Sequence, residues 1–209
     1  EPLRNKERAT GMAAYMRNQF PFLGIQSPER RKALAPLFRE ARVSKGPINW
    51  QLINELWEKD EREYQYVAID YLKRAKKCLV QEDLSTLKRL IMTKPWWDTV
   101  DMLASHLVGY IVKTFPECRS VMDKWIDDEH MWVRRTAILH QLTYKEETDE
   151  EKLFAFCHKH AEDKEFFIAK AIGWALREYT KTNPEAVREF VSLTPLQNLS
   201  KREALKNLK

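Results

Sequence analysis

The chain has 209 residues, is 44% hydrophobic, and carries 36 Lys and Arg against 31 Asp and Glu for a formal net charge of +5. That is enough apolar material for a globular core in one large domain or two small ones, and five glycines are few for a β-rich or loop-rich fold. Cys78, Cys118 and Cys157 are far apart with no CxxC, which argues against a disulfide framework or a cysteine zinc site, and no apolar run is long enough to span a bilayer.

Helical periodicity runs along almost the whole chain. A first helix is expected from about Leu3 to Asn18, broken by Phe20-Pro21-Phe22-Leu23-Gly24-Ile25. Ser27 then reads as an N-cap with Pro28 at the first helical position and Glu29 suiting the dipole. Pro47-Ile48-Asn49-Trp50 opens a helix with Ile48, Leu52, Ile53, Leu56 and Trp57 as its apolar stripe. Further helices follow near Glu61–Lys77 and Asp83–Met92. Next comes one in which Pro95 occupies the first turn and Trp97 and Asp101, four apart, share a face. Pro116-Glu117, Asp127-Asp128-Glu129, Thr148-Asp149-Glu150 and Asn183-Pro184-Glu185 mark later starts. No stretch alternates as a strand, so the expectation is all-α, with about a dozen helices.

A faint repeat accompanies this pattern. Ala137-Ile138 and Ala171-Ile172 are 34 residues apart, and Ala68-Ile69 precedes the first by 69. The missing member falls near position 102. A period of this size predicts an α-solenoid of stacked antiparallel helix pairs, one domain over residues 1–209, curved with a concave basic groove. The helices carrying Trp97-Asp101, Trp132-Arg135 and Trp174-Arg177 are then equivalent members, and their side chains converge.

An indole beside a carboxylate is a candidate pocket for a cation; the bland alternative is a core tryptophan next to a solvated aspartate. Trp132 to Arg135 and Trp174 to Arg177 each place a guanidinium three residues after an indole, where a core indole with an outward-snorkelling Arg is the alternative. Gly173 beside Trp174 lets a backbone or ligand come close. Indoles and cations in a groove suit a phosphate backbone, with Arg30, Arg31, Lys94, Lys145, Lys170, Lys201 and Arg202 as further cations and the Gln26-Ser27 turn as a helix N-terminus for phosphate. His158 and His160 point apart on a helix, and His106, His130 and His140 lack Cys or carboxylate partners at ligand spacing. The sequence also holds no Walker, dinucleotide or nucleophile-elbow motif. Neither a metal nor a cofactor is expected.

The sequence resembles the bacterial AlkD-type DNA alkylation repair glycosylases. The matching stretches are Tyr15-Met16-Arg17-Asn18, residues 22–31, Thr93-Lys94-Pro95-Trp96-Trp97-Asp98-Thr99-Val100-Asp101, residues 132–139, residues 165–179 and Leu199-Ser200-Lys201-Arg202-Glu203-Ala204. They run in order along essentially the whole chain. The resemblance implies HEAT-like repeats and excision of positively charged N3- and N7-alkylated purines, such as 3-methyladenine and 7-methylguanine, from double-stranded DNA. It places the catalytic aspartate on Asp101, the cleft tryptophans on Trp97 and Trp174, and the phosphate-binding arginine on Arg135. Arg177, Gln26, Ser27 and Tyr15 fall on further DNA-contacting positions. A basic position near Thr143 is lost, with Lys145 as its possible substitute.

Elementary chemistry fits that implication. A cationic purine is a good leaving group, and a carboxylate stabilises the oxocarbenium ion left on the sugar or orients a water. The other readings are a non-catalytic HEAT-type scaffold and a damaged-DNA-binding protein; the scaffold has no use for a carboxylate framed by indoles. The remaining expectations are a monomer, no membrane association, and an intracellular, cytoplasmic location with the nucleoid.

Overall fold

The computed structural model describes residues 3–208. Among them there is no strand, and the chain is a succession of helices, as its periodicity predicts. Contacts divide it into two compact units, Glu1–Val80 and Gln81–Lys209.

The first unit holds α1 (Lys6–Tyr15), α2 (Ser27–Glu40), α3 (Trp50–Glu58) and α4 (Arg62–Ala75). Side-chain caps start two of them: Asn5 accepts from the Arg8 N–H and Asn49 from the Leu52 N–H. Both α2 and α3 pack on α4. The Phe20–Ile25 break is held by Glu63 of α4. Its buried carboxylate accepts the backbone N–H groups of Leu23, Gly24 and Ile25 at 2.8–3.0 Å. Gly24 is required there: its φ is +82°, and a Cβ would stand 2.0 Å from the Asn5 carbonyl oxygen. The expected Ser27 cap is shifted by one residue. Gln26 is the N-cap, without a side-chain cap bond, Ser27 is the first helical residue, and the Ser27 hydroxyl instead accepts from Arg30 at 3.3 Å. Arg30 needs that oxygen because it is buried, with its Nε on Asp70 at 3.0 Å.

The second unit runs α5 (Asp83–Met92), α6 (Trp97–Leu103), a π turn (Ala104–Val108), α7 (Gly109–Thr114), α8 (Arg119–Trp125), α9 (Met131–Leu139), α10 (Glu150–Lys159), α11 (Phe166–Tyr179), α12 (Pro184–Leu193) and α13 (Asn198–Ala204). Asp149 caps α10, and Asn183 caps α12 ahead of Pro184, as their sequences predict. Helix α9 is the centre: it packs against α5, α6, α8, α10 and α11, and only Met131 and Arg134 of its nine residues escape burial. Two of its seven buried residues, Arg135 and Thr136, are polar. The repeat positions are core: Ala68, Ala137 and Ala171 are fully buried, and so are Leu103 and Ala104 near the place of the missing member. The architecture is therefore a helical repeat. Among the described residues no helix is long and apolar enough to cross a membrane.

Candidate active site

Helix α6 starts later than Pro95 predicts. Lys94 is left-handed at φ +50°, Pro95 stays outside the helix, and extended Trp96 is the N-cap, its carbonyl accepting from the Thr99 and Val100 N–H groups. A residue before proline is pushed out of the α region, so the turn is completed before the helix begins. Trp97 is thus the first helical residue and half-buried, and Asp101 lies one turn on, buried.

Asp101 faces α9. Arg135 donates from Nε to Oδ1 and from Nη2 to Oδ2, both at 2.8 Å, and its Nη1 donates to the Phe167 carbonyl at the start of α11. The side chains are 10% and 5% exposed. Burial pushes the Asp101 carboxyl above its ordinary value, and the two Arg135 hydrogen bonds pull against that. The two residues are 34 apart, one period of the repeat, so they are matched positions on neighbouring units of the stack. The fork also gives Arg135 an inward partner in place of the open surface expected for a phosphate contact. An ion pair this deep is a poor stabilising device compared with apolar packing. Such arrangements cluster where chemistry is done.

An aromatic wall stands beside the fork. Trp96, Trp132 and Phe167 pack with ring centroids 4.8–5.9 Å apart, and the Arg135 guanidinium lies 5.9 Å from the Phe167 ring. Trp132 therefore packs in the core, as the core-indole alternative has it, but Arg135 does not snorkel outward. Trp96 and Phe167 carry no signal in the sequence beyond each belonging to an aromatic doublet.

The π turn follows α6, three residues after Asp101. Ser105 donates its hydroxyl to the Asp101 carbonyl at 2.7 Å. Carbonyls around the widened turn find partners in the loop after α9: Thr143 donates to Ser105 at 3.1 Å and Tyr144 to Gly109 at 2.6 Å. Gly109 permits this approach, since a Cβ there would stand 2.2 Å from the His140 carbonyl oxygen. Thr143 thus braces the helix of Asp101. π turns of this kind interrupt helices frequently at functional sites.

Trp174 is half-buried on α11, and Gly173 admits a backbone: α13 comes so near that a Cβ would meet the Ser200 carbonyl oxygen at 3.0 Å. Arg177 donates to Glu203 of α13 at 2.7 Å. Gln26, Ser27 and Tyr15 belong to the first unit; all three are exposed, Tyr15 at 71%.

A helical-repeat protein whose matched positions join a buried carboxylate to a guanidinium, against an aromatic wall, is the class that fold and site define. The model of the DNA alkylation repair enzyme family matches residues 1–208, and the chain belongs to that family. It is similar to a solved structure described as a predicted DNA alkylation repair enzyme from Enterococcus faecalis, with a TM-score of 0.91, 36% identity, and coverage of 98% of this chain and 96% of that one. No curated protein matches. Membership gives the chain a role in DNA alkylation repair, with DNA as substrate or partner.

Proposed function

We propose that the protein is a DNA glycosylase that releases N3- and N7-alkylated purines, including 3-methyladenine and 7-methylguanine, from duplex DNA, with Asp101 as the catalytic carboxylate. The observation that carries this reading is the Asp101–Arg135 fork, one helical turn from half-buried Trp97, in a chain of this family.

The alkylated base already bears a positive charge. As the C1′–N bond breaks, its electron pair goes to the purine, which leaves neutral, and the charge passes to the deoxyribose as an oxocarbenium ion. A carboxylate in a low-dielectric site stabilises that cation far more than bulk water does. Water adds at C1′ and gives up its proton, leaving an abasic site; Asp101 orients that water. Trp97 and Trp174 offer indole faces to the cationic nucleotide. The two Arg135 hydrogen bonds oppose the rise that burial imposes on the Asp101 carboxyl. Three of the five N–H groups of Arg135 are engaged by Asp101 and Phe167 and the side chain is only 5% exposed, so its part is to hold Asp101 rather than to bind a phosphate. Arg177, Gln26, Ser27 and Tyr15 grip the backbone. No extruded-base pocket is required by this scheme.

The test uses duplex DNA containing 7-methylguanine with the parent protein and Asp101→Asn. The parent should release the base, and the variant should be slower by about 10²–10³-fold while still binding duplex. Equal release by both sinks the role of Asp101. Binding without release by the parent identifies a damaged-DNA-binding protein instead, and neither identifies a scaffold.

A further inference from the structure

The segment Leu199–Ala204 has no part in the chemistry above, yet α13 is built tightly onto α11. Ser200, fully buried, donates its hydroxyl to the Ala169 carbonyl at 2.9 Å, and Gly173 leaves no room for a side chain between the helices. This contact delivers one carboxylate, Glu203, to a particular face of α11. Its Oε1 lies 3.1 Å from Lys170 Nζ, and its Oε2 accepts from Arg177 Nη1 at 2.7 Å. Lys170 and Arg177 are seven residues apart, two turns of helix, and Trp174 sits between them at i+4 on the same stripe.

The charges do not cancel. Two cations share one carboxylate, which leaves a net positive face beside an indole that is only half-buried. Lys170 is 38% and Arg177 24% exposed, whereas Glu203 is only 14% exposed. The anion is therefore underneath and the cations outward. Lys has three donors and Arg five, and one of each is seen on Glu203, so both retain donors for an outside anion. A long Lys or Arg side chain loses much rotamer freedom when fixed, and a shared buried carboxylate meets that loss before any ligand arrives.

We propose that Lys170 is a DNA-backbone contact, acting with Arg177 on either side of Trp174, and that Glu203 is the positioning residue that pre-sets the two cations. This rests on the reading that the chain binds DNA, but not on excision. Simple charge counting says the opposite of Glu203: removing a negative charge should tighten DNA binding. Pre-setting says that its removal loosens it.

The experiment measures binding of undamaged duplex against salt concentration for the parent, Lys170→Ala, Glu203→Gln and the double variant, with thermal melts alongside. Lys170→Ala should lower the slope of log K against log salt by about one. Glu203→Gln should weaken binding several-fold in the parent background and by clearly less in the Lys170→Ala background, where only Arg177 is left for it to pre-set. Equal weakening in both backgrounds makes Glu203 merely structural and overturns the proposal. So does tighter or unchanged binding by Glu203→Gln, or an unchanged salt slope in Lys170→Ala. Lys170→Ala alters an outward side chain and reports even where Glu203→Gln fails to fold. Undamaged duplex keeps the two readings separate: the predicted binding pattern without base release would refute the glycosylase and leave this inference standing.

Discussion

Replacing Arg135 with alanine isolates what the fork does. The side chain is 5% exposed and supplies both hydrogen bonds to an aspartate that is itself 10% exposed. Its loss leaves a buried charge without compensation, at a cost of about 3–5 kcal/mol. For a chain of this length each kcal/mol lowers Tm by roughly 2–4 °C, so Arg135→Ala should melt about 6–20 °C below the parent near neutral pH. The pH dependence has a definite sign. Burial already raises the Asp101 carboxyl, and without Arg135 nothing opposes it. A carboxyl raised in the folded state takes up its proton before the unfolded chain does, so the folded variant gains relative to the unfolded one as pH falls, and the deficit should narrow on acidification. Replacing the pair together, as Asp101→Leu with Arg135→Met, should recover most of the loss, since no buried charge then remains. Calorimetry or circular dichroism at several pH values reads all three. An Arg135→Ala melt within a degree of the parent, or a deficit that widens in acid, refutes the argument.

His140 should impose a second pH dependence. It is fully desolvated, with its value pushed down to about 4 from 6.5, and its Nδ1–H donates to the Ala137 carbonyl at 2.7 Å. Between those values the unfolded chain binds a proton that the folded one refuses, so stability should fall by about 3 kcal/mol as pH drops from 6.5 to 4, and His140→Gln should flatten that slope in denaturant titrations. Gly173→Ala should cost about 1–3 kcal/mol, because the new Cβ would lie 2.6 Å from the Glu203 Cβ and must push α13 away; an unchanged denaturant midpoint contradicts that packing. Tyr144→Phe removes the 2.6 Å hydrogen bond to the Gly109 carbonyl and should cost about 1 kcal/mol, with amide exchange rising in the π turn; unchanged exchange there means that the loop does not brace it.

What the chain's own order of residues determined is what short-range physics governs. Helices follow from periodicity, and the starts at Asn49, Asp149 and Asn183 follow from caps that act over three residues. Trp97 and Asp101 share a face because a helix repeats every 3.6 residues. The 34-residue period was also visible, and it contained the Asp101–Arg135 separation. What it could not say was that Arg135 turns inward onto that carboxylate, because a guanidinium's choice between a phosphate and a carboxylate depends on which one the packed helices place within reach. The same holds for Glu63 gathering three N–H groups from 38–40 residues away and for Glu203 reaching back 26 residues to Arg177. It holds for which indole of the Trp96-Trp97 doublet joins the aromatic wall, since that turns on where the cap falls after Pro95. Only tertiary structure decides these, because each is a contact between side chains that no local rule brings together, made at the expense of water once the surrounding helices have closed.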